Sequence, residues 1–311
     1  MKILLTGGAG FVGSHVADAY LAAGHRVVVV DDLSSGSLAN LPAGVSFYLM
    51  NICSPELEKV FAIEKPEIVN HHAAQISVTM SARDPVTDAR VNALGLLNVL
   101  ECSRKSNVKK FIFISSGGAV YGEGGGEKMK EDHATVPVSP YAIHKLLGEH
   151  YLHFYAAQHG LAWTALRYAN VFGPRQNPGG EAGVVAIFIS REQRQEVPSI
   201  YSYSEEPDGM VRDYVYVEDV ARANVLALES ATGEAVNISS GREVHTRELL
   251  AAICTIMGRV LKYTRAGPRP GDLRHSCLDN GKAARIMGWK PSFSLEDGLA
   301  KTVAWFAGAH A

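Results

Sequence analysis

A tyrosine and a lysine stand four positions apart in the segment SPYAIHK, as Tyr141 and Lys145. On a helix this spacing places both side chains on one face, and the preceding Ser139 and Pro140 are typical of a helix start. Tyrosine, with an unperturbed pKa of about 10, is a poor base near neutral pH, but a neighbouring ammonium group favours the tyrosinate form. The pair therefore predicts acid–base chemistry, although a surface Tyr/Lys pair would show the same spacing.

A glycine-rich segment, TGGAGFVG, lies about 130 residues before that pair and contains Gly7, Gly10 and Gly13. Such glycines let the backbone approach a pyrophosphate, to which a helix N-terminus offers N–H donors. A flexible turn would also use glycines, but Asp31 follows Gly13 by 18 residues, where an acidic residue binds the adenosine ribose. A carboxylate there repels a 2′-phosphate, so the sequence predicts NAD rather than NADP.

Two hydroxyl groups, Ser115 and Ser116, end an apolar run in the segment ISSGGAVYG, before Gly117 and Gly118. A turn would explain this change of residue type. An active site that needs a hydroxyl and open space beside it would explain it as well. We take Ser116 as the candidate catalytic hydroxyl and Ser115 as the next candidate.

Short apolar runs alternate with helical segments in the first half of the chain. The predicted strands are 2–6, 26–30, 67–71, 110–114 and 162–167, and the predicted helices are 13–23, 91–106 and 141–159. This alternation implies βαβ units around a parallel sheet that is buried on both faces. The predicted fold class is therefore α/β, a Rossmann-type doubly wound parallel sheet.

The chain changes character after Phe172, where Pro, Gly and charged residues become more frequent. We expect residues 1–172 to form the NAD-binding domain and residues 173–311 to form mainly a smaller C-terminal lobe that binds the substrate. Segments such as 212–230 could return to the first domain. Two domains also agree with the usual size of domains in a chain of 311 residues.

Composition argues against several classes of protein. The chain is 47% hydrophobic and 20% charged, with a net charge of −2 and no long basic run, so we expect neither a nucleic-acid nor a membrane partner. Four scattered cysteines indicate reduced thiols in a cytoplasmic protein. His71 and His72 are neighbours on a strand and point to opposite faces, so we expect no metal site.

These motifs together resemble the extended short-chain dehydrogenase/reductase family. The stretches LRYANVFGPRQ, RDYVYVEDV and RPGDLRHS resemble the UDP-glucose 4-epimerases (UDP-galactose 4-epimerases) within it, nearly from end to end. That resemblance implies an NAD-dependent inversion of C4 of a UDP-hexose through a transient 4-keto sugar. It implies tightly bound NAD that is regenerated in each turnover, and a homodimer formed through helices 91–106 and 141–159.

The resemblance also assigns roles to residues. Tyr141 would be the base, Lys145 would bind the nicotinamide ribose, Arg212 and Arg269 would clamp the pyrophosphate, and Asp272 would hold the uridine ribose. The implied catalytic residues are Tyr141, Lys145 and Ser116. The implied cofactor-binding residues are Gly7, Gly10, Phe11, Val12, Gly13, Asp31, Asp32, Asn51, Ile52, Ala73, Ala74, Gln75, Asn92, Tyr141, Lys145 and Tyr168. The implied substrate-binding residues are Ser116, Tyr141, Asn170, Arg175, Arg212, Arg269, Asp272 and Ser276.

Some of these assignments have simpler alternatives. A loop cap is the alternative for Asp32, since only one of two successive strand residues is expected to hold the ribose. Surface salt bridges are the alternative for each arginine.

The sequence departs from the family pattern at two positions. Most relatives carry the catalytic hydroxyl four residues before the tyrosine of the YG pair, where this chain has Gly117, so Ser116 is one residue out of register. Asn51 replaces the aspartate that usually accepts a hydrogen bond from adenine, although an amide carbonyl can still accept one.

Three further expectations concern specificity. The run Gly-Gly-Ala-Val after Ser116 lacks the acids that related dehydratases and decarboxylases carry, which favours simple epimerisation. Ser276 is small where a tyrosine is associated with rejection of N-acetylated sugars, so we expect UDP-GalNAc and UDP-GlcNAc to be accepted too. The alternatives are another NAD-dependent UDP-sugar enzyme, such as a UDP-uronate 4-epimerase, and a non-catalytic NAD-sensing protein.

Overall fold

The computed structural model of the protein describes residues 1–179, 183–269 and 271–308. The strands are β1 Lys2–Thr6, β2 Arg26–Asp31, β3 Ser46–Leu49, β4 Ile68–His71, β5 Lys110–Ser116, β6 Ala162–Tyr168, β7 Asn170–Phe172, β8 Ser199–Tyr201, β9 Val211–Tyr216, β10 Glu234–Ile238, β11 Glu243–His245, β12 Thr264–Ala266 and β13 His275–Ser276. The α-helices are α1 Phe11–Ala22, α2 Leu57–Glu64, α3 Val78–Arg83, α4 Pro85–Ala89, α5 Leu96–Lys105, α6 Gly117–Val120, α7 Pro140–His159, α8 Val184–Gln193, α9 Val217–Ala227, α10 Thr246–Ile256, α11 Gly281–Met287 and α12 Leu295–Gly308. A short 3₁₀ helix covers Leu38–Asn40, and a π-helical segment covers Arg90–Gly95.

A seven-stranded parallel sheet forms the centre of the molecule, in the order β10-β6-β5-β4-β1-β2-β3. Its central strands are almost entirely buried because they are continuous apolar runs, for example Ile3 to Leu5 and Phe111 to Phe113. Separate hydrophobic clusters cover its two faces. The predicted Rossmann-type α/β fold is confirmed.

The last strand of this sheet, β10, comes from the second half of the chain and pairs with β6. Helix α9 from the same half packs against α1. Residues after Phe172 therefore contribute to the central layer. The division into two domains at Phe172 stays a prediction.

The other elements build a smaller layer beside the carboxyl ends of the sheet. Strands β11, β9 and β13 form a sheet to which β7 adds through β9, and β8 pairs with β12. A third hydrophobic cluster lies here, with Phe188, Leu249 and Leu299 from helices α8, α10 and α12.

The carboxyl ends of the parallel strands bring the predicted site residues to one edge of the sheet. Ser116 is in register with Tyr168 across β5 and β6, and Thr6 is in register with His71 across β1 and β4. Ligands of open α/β sheets bind at this edge, so the topology places the nucleotide and catalytic motifs together.

Candidate active site

Helix α7 holds the tyrosine and the lysine in the predicted arrangement. Ser139 Oγ accepts a hydrogen bond from the Ala142 backbone N–H at 3.2 Å, and Pro140 occupies the first turn. Gly160, with a left-handed φ of 68°, ends the helix. The cap and the proline fix where the helix begins, and Tyr141 and Lys145 consequently share one face of its first two turns.

Tyr141 lines a cavity of about 630 Å³ together with Ser116. Desolvation in this cavity raises the pKa of Tyr141 to about 12, although a hydrogen bond from Ser116 lowers it and the charge of Asp88 raises it further. The sequence predicted that Lys145 would lower this pKa. In the structure, burial and the Asp88 charge outweigh the hydrogen bond from Ser116.

The Lys145 ammonium is buried beneath the tyrosine ring. Its Nζ donates a 2.9 Å hydrogen bond to the Ile114 carbonyl and lies 5.7 Å from the centre of the Tyr141 ring. Burial lowers the pKa of Lys145 to about 8, and the Asp88 carboxylate partly opposes this shift. The hydrogen bond to the β5 backbone thus fixes the position of the Lys145 ammonium group beside the catalytic tyrosine.

Ser115 and Ser116 face opposite sides of β5. Ser115 is buried and its Oγ donates a 2.6 Å hydrogen bond to Glu149 Oε1, which also accepts from Arg167 Nε at 3.0 Å. The second oxygen of Glu149 pairs with Arg167 Nη2 at 2.6 Å. The Ser115 hydroxyl is therefore bonded to the Glu149–Arg167 ion pair behind the strand. Of the two serines, only Ser116 lies beside Tyr141.

The glycine-rich turn is shaped to receive a pyrophosphate. A Cβ on Gly13 would stand 2.2 Å from the Gly7 carbonyl oxygen, and Gly7 itself has a left-handed φ of +71° with its Cβ position 2.6 Å from Ala73 N. Side chains cannot be accommodated at these two positions. The backbone is consequently open toward the start of α1, as a dinucleotide requires.

Asp31 fixes the same turn from β2. One carboxylate oxygen accepts from the Ala9 N–H at 2.9 Å and the other from the Leu33 N–H at 2.8 Å. Each oxygen retains a lone pair that could accept from ribose hydroxyls. The residues present therefore fit an NAD adenosine.

Asp32 and Asn51 bind one another at the rim of this site. Asp32 Oδ1 accepts from Ser34 Oγ at 2.6 Å, and Asp32 Oδ2 accepts from Asn51 Nδ2 at 2.7 Å. Asn51 Oδ1 accepts from the Cys53 N–H at 2.8 Å. These contacts match the loop-cap alternative for Asp32, and they leave Asn51 Oδ1 one further lone pair for an adenine.

Asn92 holds the loop that follows β4. Its Oδ1 accepts from the Gln75 N–H at 3.0 Å, and its Nδ2 donates to the Gln75 carbonyl at 2.9 Å and to Asp88 Oδ1 at 3.0 Å. Asn92 lies where the helical segment predicted over 91–106 opens into π-helical geometry at Arg90–Gly95, which is frequent at functional sites. Sequence reasoning missed Asp88, although an acid four residues before Asn92 is a visible signal.

The other predicted cofactor residues lie at the same edge of the sheet. Phe11 and Val12 begin α1, Ile52 is buried after β3, Ala73 and Ala74 follow β4, and Tyr168 ends β6. The Tyr168 hydroxyl accepts a 2.6 Å hydrogen bond from Asn224.

Most predicted substrate residues line the cavity, namely Ser116, Tyr141, Asn170, Arg212, Arg269 and Asp272. The Arg269 guanidinium stacks on the Tyr201 ring at 4.5 Å, and its backbone N–H donates to Asp272 Oδ2 at 2.9 Å. Burial lowers the pKa of Arg212. Pro270, between Arg269 and Gly271 in the RPGD motif, lies outside the described residues.

Two predicted substrate residues lie elsewhere. Arg175 forms a 2.7 Å ion pair with Asp18 of α1, so its guanidinium ties the segment after β7 to the first helix and does not line the cavity. Ser276 is buried behind Gly118, and its Oγ is 3.9 Å from the position of a Cβ on that glycine. Arg191 of α8 does line the cavity, and sequence reasoning missed it because one arginine on a helix carries no distinguishing pattern.

Comparison with known proteins identifies relatives of this arrangement. A model of the NAD dependent epimerase/dehydratase family matches residues 3–239. A UDP-glucose 4-epimerase of Mycolicibacterium smegmatis is 42% identical over 312 residues, covering 98% of each chain.

Two solved structures are similar over the whole fold. The UDP-glucose 4-epimerase of Thermotoga maritima with UDP-glucose is 48% identical, covers 100% of both chains and superposes with a TM-score of 0.96. The UDP-glucose 4-epimerase of Thermus thermophilus in complex with NAD is 45% identical, covers 99% of this chain and 100% of that one, and gives a TM-score of 0.95. In the part of this chain that the structure describes, no helix is long and apolar enough to cross a membrane.

Proposed function

This chain belongs to the NAD-dependent epimerase/dehydratase family, and we propose that it is a UDP-glucose 4-epimerase. It interconverts UDP-galactose and UDP-glucose through a transient 4-keto sugar and keeps its NAD through each turnover. The observation that carries this proposal is the cavity itself, where Ser116 and Tyr141 share one lining with Arg212 and Arg269. An acid–base pair and cations for a diphosphate are what the reaction needs in one place.

Tyr141 is the residue that takes the proton from the C4 hydroxyl of the sugar and later returns it. Ser116 donates to the tyrosine oxygen, which favours the tyrosinate form. Lys145, fixed by the Ile114 carbonyl, places a cation under the tyrosine and toward the nicotinamide ribose. Bound NAD would supply the reversible acceptor for the C4 hydride. We assign NAD to the glycine turn of Gly7 to Gly13 and to Asp31.

The diphosphate and uridine groups are assigned to the other end of the cavity. Arg212 and Arg269 present planar donor groups there, which suit bidentate contacts with phosphate oxygens. The stacking of Arg269 on Tyr201 reduces the rotamer freedom that the arginine would lose on binding. Asp272 lies beside it for the uridine ribose, and Asn170 lies near the sugar end with Gly118.

A UDP-uronate 4-epimerase is the second candidate. Arg191 lines the cavity and forms no ion pair with the residues that the structure describes, so it could receive the carboxylate of a uronate. The run after Ser116 carries no acid, and this disfavours elimination of water or loss of CO₂.

Substrate assays distinguish these candidates. The purified protein, with no cofactor added, is incubated separately with UDP-galactose, UDP-GalNAc and UDP-galacturonate, and the products are resolved by chromatography. Conversion of UDP-galactose to UDP-glucose supports the proposal and shows retained NAD. Conversion of the uronate alone would favour the second candidate. Absence of any conversion, even with NAD supplied, would leave the non-catalytic alternative.

We further propose a homodimer. Large apolar side chains remain exposed on the predicted pairing helices, with Ile143 and Phe154 on α7 and Leu94 before α5 at 49, 51 and 61% exposure. Residues eleven positions apart lie on one helix face, so Ile143 and Phe154 form part of a single surface. Sedimentation analysis should find a dimer in the native protein and a monomer for Phe154→Glu.

A cytoplasmic location is also part of the proposal, because all four cysteines are free thiols.

A further inference from the structure

Asp88 is a buried carboxylate on which three segments of the chain converge. Its side chain has no exposed surface. Oδ1 accepts from Gln75 Nε2 at 2.7 Å and from Asn92 Nδ2 at 3.0 Å, while Oδ2 lies 2.5 Å from His144 Nδ1. The residues assigned to catalysis and binding do not include Asp88 or His144.

His144 belongs to the catalytic helix itself. It lies between Tyr141 and Lys145 on α7, and its side chain is 14% exposed. Because an ionised carboxylate only accepts hydrogen bonds, the proton between His144 and Asp88 is carried on Nδ1. The pair therefore joins α7 to the loop at Gln75, which the Asn92 side chain also holds.

The charge of Asp88 acts on both catalytic groups. Desolvation is the largest cause of the raised pKa of Tyr141, and the Asp88 charge raises that pKa further. For Lys145, desolvation lowers the pKa and the Asp88 charge opposes that shift. Among the described residues, Asp88 is the carboxylate whose charge shifts the pKa values of both Tyr141 and Lys145.

The two histidines beside Lys145 are neutral near pH 7, and the Glu149 carboxylate one turn further along α7 is paired with Arg167. His71 and His72, from the end of β4, have pKa values lowered to about 3 by burial and by the Lys145 charge. Ser116 of β5 contributes a neutral hydroxyl. The hydrogen-bonded pair of Asp88 and His144 is the charged element whose effect on the tyrosine a substitution can change.

We propose that Asp88 and His144 are positioning residues of the catalytic site: Asp88 ties α7 to the cofactor-side loop, and the pair sets how readily Tyr141 loses its proton. The kinetic part of this inference rests on the proposed epimerase reaction. The spectroscopic part does not, because it reads the tyrosine directly.

Two substitutions should shift the pH at which Tyr141 ionises in opposite directions. Asp88→Asn keeps a side chain of the same shape but removes the negative charge, so Tyr141 should ionise at lower pH. His144→Ser removes the partner that balances Asp88, so Tyr141 should ionise at higher pH. Each shift is expected to be about one pH unit, the usual size of the effect of one neighbouring charge.

The test titrates the NAD-loaded enzyme by the ultraviolet absorbance of tyrosinate, with the same variants in a Tyr141→Phe background subtracted. The pH profile of kcat is measured in parallel, and NAD retained per chain is counted after denaturation. Asp88→Asn should move the acid limb of the profile to lower pH, and His144→Ser should move it to higher pH.

Two substitutions serve as matched controls. Asp84→Asn removes a charge from the exposed N-cap of the same short helix, where asparagine also caps well. His159→Ser removes an exposed imidazole from the end of α7. Neither control substitution should shift the pH at which Tyr141 ionises.

Shifts in the same direction for both test variants, or no shift in folded proteins, would overturn the proposal. Should Asp88→Asn fail to fold, an unmoved titration in His144→Ser would still overturn it. If the wild-type protein converts no UDP-sugar, the proposed function fails, and the tyrosinate titration alone decides the role of the pair.

Discussion

Ser115 Oγ donates a 2.6 Å hydrogen bond to the buried carboxylate of Glu149, and this contact determines which serine can reach the substrate. Glu149 follows Lys145 by one helical turn and pairs with Arg167 of β6. The strand that carries the serines and the helix that carries the tyrosine are thereby locked together behind the site. Successive strand residues alternate in direction, so Ser116 faces Tyr141.

Ser116→Ala should lower kcat about tenfold or more, because the tyrosine loses the hydroxyl that stabilises its ionised form. Affinity for the UDP-sugar should change little. Steady-state kinetics on UDP-galactose measures both. Ser115→Ala is the matched control: it should reduce thermal stability through Glu149 and largely retain kcat. An unchanged kcat for Ser116→Ala would exclude the assignment.

Gly13→Ala should abolish NAD binding, since its Cβ would stand 2.2 Å from the Gly7 carbonyl oxygen and force the turn open. The NAD content of the purified variant, measured after denaturation, provides the readout. Gly24→Ala is the control: Gly24 has a left-handed φ of +79° but no neighbour within 4 Å, so that variant should lose about 1 kcal/mol of stability and keep its NAD. Normal NAD content in Gly13→Ala would contradict the assigned pyrophosphate site.

Lys145 should leave a signature in the pH dependence of stability. Its pKa is about 8 in the fold against the ordinary lysine value of 10.5, so the unfolded chain binds more protons between those pH values. The free energy of unfolding should therefore rise between about pH 8 and 10.5, by roughly 3 kcal/mol from this group.

Denaturant titrations of wild type and Lys145→Met across that range test this. The wild-type curve should rise above that of the variant by roughly 3 kcal/mol across this range, because the other titrating groups, Lys110 among them, are common to both proteins. Parallel curves for the two proteins would show that Lys145 is not desolvated in the fold.

Ser276→Tyr should remove activity on acetylated sugars and spare UDP-galactose. Ser276 lies behind Gly118, with its Oγ 3.9 Å from the Cβ position of that glycine, so a tyrosine would extend toward the sugar end of the cavity. The ratio of kcat/KM for UDP-GalNAc to that for UDP-galactose should fall about tenfold, which corresponds to ~1.4 kcal/mol. Ser276→Ala should leave the ratio unchanged, and intact acetyl activity in Ser276→Tyr would refute the idea.

The sequence was sufficient for features with local causes. The apolar runs of β1, β2, β4, β5 and β6, the Ser139 cap of α7 and the glycine turn each depend on nearby residues, and each is found close to its predicted position. The spacing of Tyr141 and Lys145 belongs to the same class.

Features that depend on distant contacts could not be predicted in this way. Strand β10 joins β6 from about 70 residues away in sequence. Arg175 pairs with Asp18, which lies 157 residues away. The residues around Arg175 gave no sign of this ion pair, so the sequence placed Arg175 in the substrate site instead. The raised pKa of Tyr141 also depends on tertiary structure, because its causes are burial in the cavity and the charge of Asp88, a residue distant in sequence.

The most direct measurement uses UDP-galactose that carries deuterium at C4, incubated with the purified protein in ordinary water without added NAD. The UDP-glucose formed should retain the deuterium at C4, because the hydride leaves and returns within the cavity beside Tyr141. Loss of the label to solvent, or no product from the native protein supplied with NAD, would contradict an epimerisation through a bound 4-keto sugar.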